Sequence, residues 1–276
     1  MMYAKRITYA ACGDQVNYDG RTMSDNRAVE TEEIPRGVAL LWGLGQPARR
    51  GPKGGLSVER ITLAAIEVAD AEGLAAVSMA RVARQLGAGT MSLYRHVASK
   101  DELLLLMSDA ALTDPPAVPE AAGWREALRQ WGYAVITELR RHSWYVQIPL
   151  AGPPMGPRNM AWFDAALRTL DGTPLNPGDR VSAVMTLITF IQGEVRLTAE
   201  LVAAEAADAE AAGASFGRTI ARVADPERFP ALAAAVAAEI FDDDRPAAVQ
   251  EVDDLGASME IILDGIEALI RRSRSG

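Results

Sequence analysis

The chain has 276 residues, 49% of them hydrophobic and 24% charged, enough for two domains at roughly 100 to 200 residues each and too balanced for a disordered or fibrous chain. Lys and Arg number 28 against 37 Asp and Glu, a formal charge of −9 that taken over the whole chain argues against a nucleic-acid partner. One cysteine (Cys12) forbids an intrachain disulfide, two histidines leave little material for a zinc site, and no run of 18 apolar residues exists. These features exclude disulfide scaffolds and membrane spans and point to the cytoplasm, with no cofactor and no metal expected.

In chain order, residues 1–55 read as a flexible leader ending in a basic arm. The stretch is polar to about Glu33, carries an apolar patch at Val38 to Leu44, and then turns Gly/Pro-rich with Arg49, Arg50 and Lys53. Such an arm either enters a minor groove or is a solvated tail. From Leu56 on, Ala, Leu, Glu and Arg dominate and no alternating strand pattern is found, so the fold class is all-α. Ser57 caps a first helix to Glu72, closed by Gly73; Ser78 caps a second to Leu86, closed by Gly87. Thr90 to His96 forms a short third helix, and Ser99 with Glu102 has capping-box spacing for a fourth through Leu112. Residues 56–112 thus form one module. The prolines of TDPPAVPEAAG, Thr113 to Gly123, break the helical pattern. Residues 124–272 then hold longer helices: 124–141, 157–170, 179–207, 216–224, 229–240 and 253–272.

Within the module, the second and third helices meet at Gly87, Ala88 and Gly89 with the spacing of a helix-turn-helix. Ala83, Leu86, Leu93 and Val97 are spaced to bury against the first helix. Thr90, Ser92, Tyr94, Arg95 and His96 remain on the other face, where hydroxyl, phenol, guanidinium and imidazole groups can reach phosphates and base edges in a major groove. Charge agrees locally. From Gln46 to Lys100 there are eight basic and four acidic residues, so this head carries +4 and the rest of the chain −13. A positive head on a negative body orients toward DNA.

Leu56 to Met107, and most specifically LGAGTMSLYRHVASKDELL from Leu86 to Leu104, closely resembles the DNA-binding domain of TetR/AcrR family transcriptional repressors. The resemblance implies that Ser78 begins the supporting helix near a phosphate. It further implies that Thr90 and Ser92 face bases or backbone, that Tyr94 and His96 grip the backbone, and that Lys100 contacts a phosphate. Arg95 falls at a variable position of the pattern, which leaves open whether it reads a base. Gly89 departs from a position that can bear a side chain and removes one contact.

Past residue 124 the chain is rich in aromatic residues and methionine: Trp124, Trp131, Trp144, Tyr145, Met155, Met160, Trp162, Phe163, Met185 and Phe190. Such side chains line apolar ligand pockets with few polar anchors, and they equally fill helical cores. As ligand-binding candidates the reading selects Trp131, His142, Trp144, Asn159, Trp162, Phe163, Met185 and Gln192. The last helix spaces Leu255, Met259, Ile262, Ile266 and Leu269 by alternating steps of four and three, a seam for another helix. ILDGIEALI, Ile262 to Ile270, resembles the ending of tetracycline-repressor-type regulatory domains. That resemblance implies a four-helix bundle across a dimer axis, with residues 179–200 as the second helix. The run Asp242 to Asp244 reads as a solvated loop.

The expected protein is a ligand-responsive repressor that binds a palindromic double-stranded operator as a homodimer and is released by a small apolar or aromatic effector. A DNA-binding dimer without small-molecule input and an activator are the rival regulators. An enzyme is disfavoured, because the chain has no Gly-rich phosphate loop after a strand, no G-x-S-x-G and no H-E-x-x-H.

Overall fold

The computed structural model describes residues 34–44, 55–117, 122–149, 155–207, 216–238 and 247–275. These residues form eleven α-helices and no strand. Cys12, Arg49, Arg50, Lys53 and Asp242 to Asp244 lie outside the described residues.

Five helices make the head: α1 (Arg36–Leu41), α2 (Val58–Glu72), α3 (Met79–Gln85), α4 (Thr90–Tyr94) and α5 (Lys100–Ala110). Serine starts three of them. Ser57, Ser78 and Ser99 each accept the backbone N–H three residues on, at 3.2, 3.2 and 3.1 Å. Glu102 completes the last cap by accepting the Ala98 N–H. The α3 to α4 turn depends on Gly87, whose φ of +63° closes α3. Its N–H donates to the Arg84 carbonyl, and the Ala88 N–H donates to that of Ala83. This pair satisfies two carbonyls at the helix end and turns the chain sharply into α4. Ile61, Ala65, Val77, Val82, Leu93, Val97, Leu103 and Met107 fill the head's core. Of the four residues expected to seal the turn, Ala83, Leu93 and Val97 are buried and Leu86 is partly buried.

Helix α1 falls inside segment 1–55, where the sequence predicts a leader and basic arm. It is six residues long with no side-chain cap. No local signal holds a helix that short; it packs against α5 instead, and at Gly37 a Cβ would lie 2.8 Å from Leu105 Cδ2.

The remaining helices are α6 (Gly123–Arg141), α7 (Pro157–Thr169), α8 (Pro177–Ala207), α9 (Phe216–Val223), α10 (Pro230–Ala237) and α11 (Ala247–Ser275). A second core joins α6, α7, α8 and α11 through Leu128, Trp131, Trp162, Leu187, Ile191, Met259 and Leu263. Helices α6 and α11 run antiparallel. Arg125 bonds Glu260, Asp264 and Glu267, and Arg129 bonds Glu260. Further along, Gly132 faces the Met259 side chain and Gly256 faces the Tyr133 hydroxyl.

Hydrogen bonds from Arg129 and Arg125 hold the Glu260 carboxyl down at about 2, from an ordinary value of 4.5. A carboxyl lowered on folding stabilises the protein fully above its unfolded pKa and loses that contribution as pH falls toward the folded one. Glu260→Gln should therefore melt at a lower temperature than the parent at pH 6, with the gap closing between about pH 4.5 and 2. A gap independent of pH would show that the clamp works through packing alone. The side chain is 41% exposed, so the gap should be modest.

The seam of the last helix packs against helices of the same chain, α8 among them: Leu255, Met259 and Ile266 are buried at 2%, 1% and 5%, and Ile262 and Leu269 are partly buried. Among the described residues of α11, the large apolar side chain left outward is Ile261. A 3.5-residue pattern reports that a helix is packed, and it does not say by which chain.

Candidate nucleic-acid interface and effector site

Helix α4 is anchored by Leu93, which is fully buried. Its opposite face carries Met91 at 74% exposure, with Thr90 and Tyr94 beside it and Arg95 in the turn that follows. The helix ends at Tyr94, two residues short of the expected His96. Arg95 caps it, and the His96 and Val97 amides close the turn onto the Leu93 carbonyl at 2.8 and 2.9 Å. Ser92 and His96 are partly buried; Ser78 and Lys100 are exposed at the starts of α3 and α5. Ser78 thus caps the start of α3, Thr90, Ser92 and Tyr94 lie on α4, Arg95 and His96 in the turn after it, and Lys100 at the first position of α5.

Met91 was missed, because an apolar residue in a helix is assigned to the core by default. Its place opposite Leu93 on a five-residue helix is the signal that finds it. An exposed thioether there can contact a thymine methyl group.

The positive charge of the head is smaller in effect than its count. Arg81 is tied to Glu72 by Nη2 at 2.5 Å and Nε at 3.1 Å and also donates to Gln85. Arg84 also faces Glu72 and helps lower its carboxyl, whereas Arg95 and Lys100 are exposed cations with no salt bridge to the described residues.

The turn after α6 joins the second core to the head. Trp144 is 1% exposed and packs in the head's core, with Nε1 donating to Asp70 Oδ1 at 2.6 Å. His142 Nδ1 bonds the same oxygen at 2.7 Å. On the other side Asp109, 5% exposed at the end of α5, caps α7: Oδ1 accepts the Arg158 and Asn159 amides and the Asn159 side chain at 3.0, 3.0 and 3.1 Å. Tyr145 donates its hydroxyl to Asn159. Burial, reinforced by the Asp109 charge, pushes that phenol up to about 12 and keeps it a neutral donor.

A cavity of 790 Å³ opens between the segment after α5 and helices α6 and α7. Pro115, Trp124, Ala127, Asp164, Ala165 and Arg168 are among its lining residues. None of the eight ligand candidates lines it. Trp131 and Trp162 are buried and joined, Trp131 Nε1 donating to the Trp162 carbonyl, and Phe163 packs at the edge of that core. His142 and Trp144 serve the Asp70 joint, and Asn159 the α7 cap. Met185 is 45% exposed and Gln192 partly buried, both on α8. Sequence periodicity cannot separate a residue that fills a core from one that lines a hole in it.

Among the described residues, no group of three or more His, Cys, Asp or Glu is arranged to hold a metal, and no helix is long and apolar enough to cross a membrane.

A small head with an exposed second helix of a helix-turn-helix, joined to a larger helical domain, defines the class of helix-turn-helix DNA-binding regulators. Comparison with known proteins agrees over both parts: residues 61–107 match the model of bacterial regulatory proteins of the tetR family, and residues 115–270 match the tetracyclin repressor-like C-terminal domain. The chain belongs to the TetR family of transcriptional regulators, a family of regulators and not of enzymes. It is 34% identical over 265 residues to the HTH-type transcriptional repressor DrrR1 of Streptomyces coeruleorubidus, covering 92% of this chain and 94% of that one. An HTH-type transcriptional regulator of Saccharopolyspora erythraea is 30% identical over 64% of this chain and 74% of its own length. Among solved structures, ActR of Streptomyces coelicolor superposes with a TM-score of 0.65 at 26% identity, both free (79% of this chain, 98% of ActR) and with actinorhodin bound (78% and 99%).

Proposed function

We propose that this chain is a homodimeric repressor that holds a palindromic operator and releases it when a small aromatic effector binds. The observation that carries the DNA half is the outward face of α4, where Met91, Tyr94 and Arg95 are exposed away from a fully buried Leu93, with Thr90 half-buried at the helix start and Lys100 exposed nearby. In a dimer, two such helices about 34 to 36 Å apart enter successive major grooves. Exposed Val181, Met185 and Ile261 on α8 and α11 support pairing of those two helices with their copies.

The effector half rests on the cavity between α6 and α7. Its volume of 790 Å³ suits a drug-sized molecule. Trp124 offers a ring, and Arg168 and Asp164 offer polar anchors. The relative ActR has been solved with actinorhodin and with (S)-DNPA bound, which favours an aromatic effector here. An effector in this cavity touches α7, whose first turn is capped by Asp109 of α5, and α5 begins where α4 ends. Displacing α7 therefore moves the head. Such coupling is typically about 1 to 3 kcal/mol and must be reciprocal between effector and DNA.

Selection of bound duplexes from a random DNA pool by the purified protein tests the reading. An enriched palindrome is expected; a folded dimer that enriches nothing at low salt would refute operator binding. On the selected duplex, Lys100→Ala should weaken binding and reduce the slope of log K against log salt by about one, as the loss of one phosphate contact requires. An unchanged slope would remove Lys100 from the interface. For the effector half, actinorhodin should quench tryptophan fluorescence in the parent and less so in Arg168→Ala.

A further inference from the structure

We infer that α1 is a positioning strap for the recognition helix, with Arg36 and Trp42 as its two ties. The helix lies outside both regions that match the family models, 61–107 and 115–270. Its first residue reaches the exit of α4: Arg36 Nη2 donates to the His96 carbonyl at 3.4 Å, and its Nε pairs with Glu102 at 3.4 Å. Glu102 in turn accepts the Ala98 amide, so Arg36 grips both ends of the segment that links α4 to α5. At the other end, the indole N–H of Trp42 donates to the Met155 carbonyl at 2.7 Å. Met155 directly precedes Gly156, the N-cap of α7 that packs on Asp109.

Between the ties, Gly37 brings the α1 backbone close to the Leu105 side chain of α5, where a Cβ would require Leu105 to shift. Helix α1 therefore runs beside α5 and is fastened at one end to the recognition element and at the other to the start of α7. Six residues without a cap do not hold a helix alone; Leu40 and Leu41 pack against the head's core, and the two polar ties fix where the helix ends lie. Helix α4 has five residues and is anchored by the buried Leu93; the Arg36 bond to the His96 carbonyl adds a tie at its exit. By holding the α4 exit at a set distance from α7, the strap pre-orders the pose that DNA must find.

This inference rests on the reading of α4 as the recognition helix. The test uses the full-length dimer and the selected operator duplex, with affinity measured by fluorescence anisotropy across a salt series. Trp42→Phe keeps the ring and deletes the donor; Arg36→Gln deletes the charge. Each is expected to weaken operator binding about 3- to 10-fold, the net worth of one hydrogen bond, with an unchanged salt slope. The double variant should be no weaker than the weaker single, because both cut one strap, whereas independent effects would multiply. Parent-like or tighter binding by Trp42→Phe would overturn the inference. A slope reduced by about one in Arg36→Gln would do the same, by making Arg36 a direct phosphate contact. Tyr94→Ala serves as the control: parent-like binding by that variant would bring down the recognition-helix reading itself.

Discussion

Gly156→Ala is expected to lower stability by at least about 3 kcal/mol, the sum of several buried groups losing their partners, as read by urea unfolding. A Cβ at this position would lie 2.1 Å from Asp109 Oδ1, 2.3 Å from its Cγ and 2.8 Å from its Cβ. Asp109 cannot yield cheaply. It is buried, and one oxygen holds two backbone amides and the Asn159 side chain. Pushing it aside leaves those donors without an acceptor, at about 1 to 3 kcal/mol for each buried group. Asp109→Ala orphans the same donors but leaves no clash and no displaced buried carboxylate, and should cost less than Gly156→Ala. The double variant should consequently be more stable than Gly156→Ala alone. If Gly156→Ala unfolds within 1 kcal/mol of the parent, α5 and α7 are not locked at this point, and the proposed route from cavity to head loses its first step.

Ile261→Glu should yield a monomer in sedimentation and cut operator affinity by at least about 100-fold, the advantage that tethering two half-site readers commonly confers. Ile261 is 71% exposed while its neighbours Met259 and Leu263 are buried at 1% and 0%, so a carboxylate at 261 leaves the subunit core intact. Placed against a copy of itself it buries two like charges, which an interface does not tolerate. Met160→Glu is the matched control: Met160 is 42% exposed on α7, and that variant should stay dimeric. A dimer with parent-like affinity in Ile261→Glu would place the subunit contact elsewhere.

Much of the head was legible in the sequence. Serine caps at 57, 78 and 99, glycine stops at 73 and 87, and one apolar residue per turn are local signals, and helices of the expected type formed where they occur. The ends of the long helices in residues 124–207 followed from prolines and apolar spacing for the same reason. Helix α1 was not legible, because its cause is Leu105, Glu102 and Met155, residues more than sixty positions away along the chain. Nor did the aromatic-rich span reveal its divisions. Trp144 reads like Trp131 in the sequence, yet it packs in the head's core and bonds Asp70, while Trp131 packs beneath α7.

What the sequence by itself determined is the set of elements and the chemistry available on them: an all-helical chain, a helix-turn-helix with its polar face, and a charge distribution that favours DNA at one end. Those properties are set by residues within a few positions of one another, through capping, backbone dihedral preference and helical period. Only the tertiary structure decided which apolar faces meet within the chain and which remain outward. It also decided that Arg81 is spent on Glu72 and that Asp109 fastens α5 to α7. Each of those outcomes depends on distances between helices, and apolar contact is non-directional, so a seam of leucines and isoleucines is satisfied equally by its own subunit or by another until packing selects one.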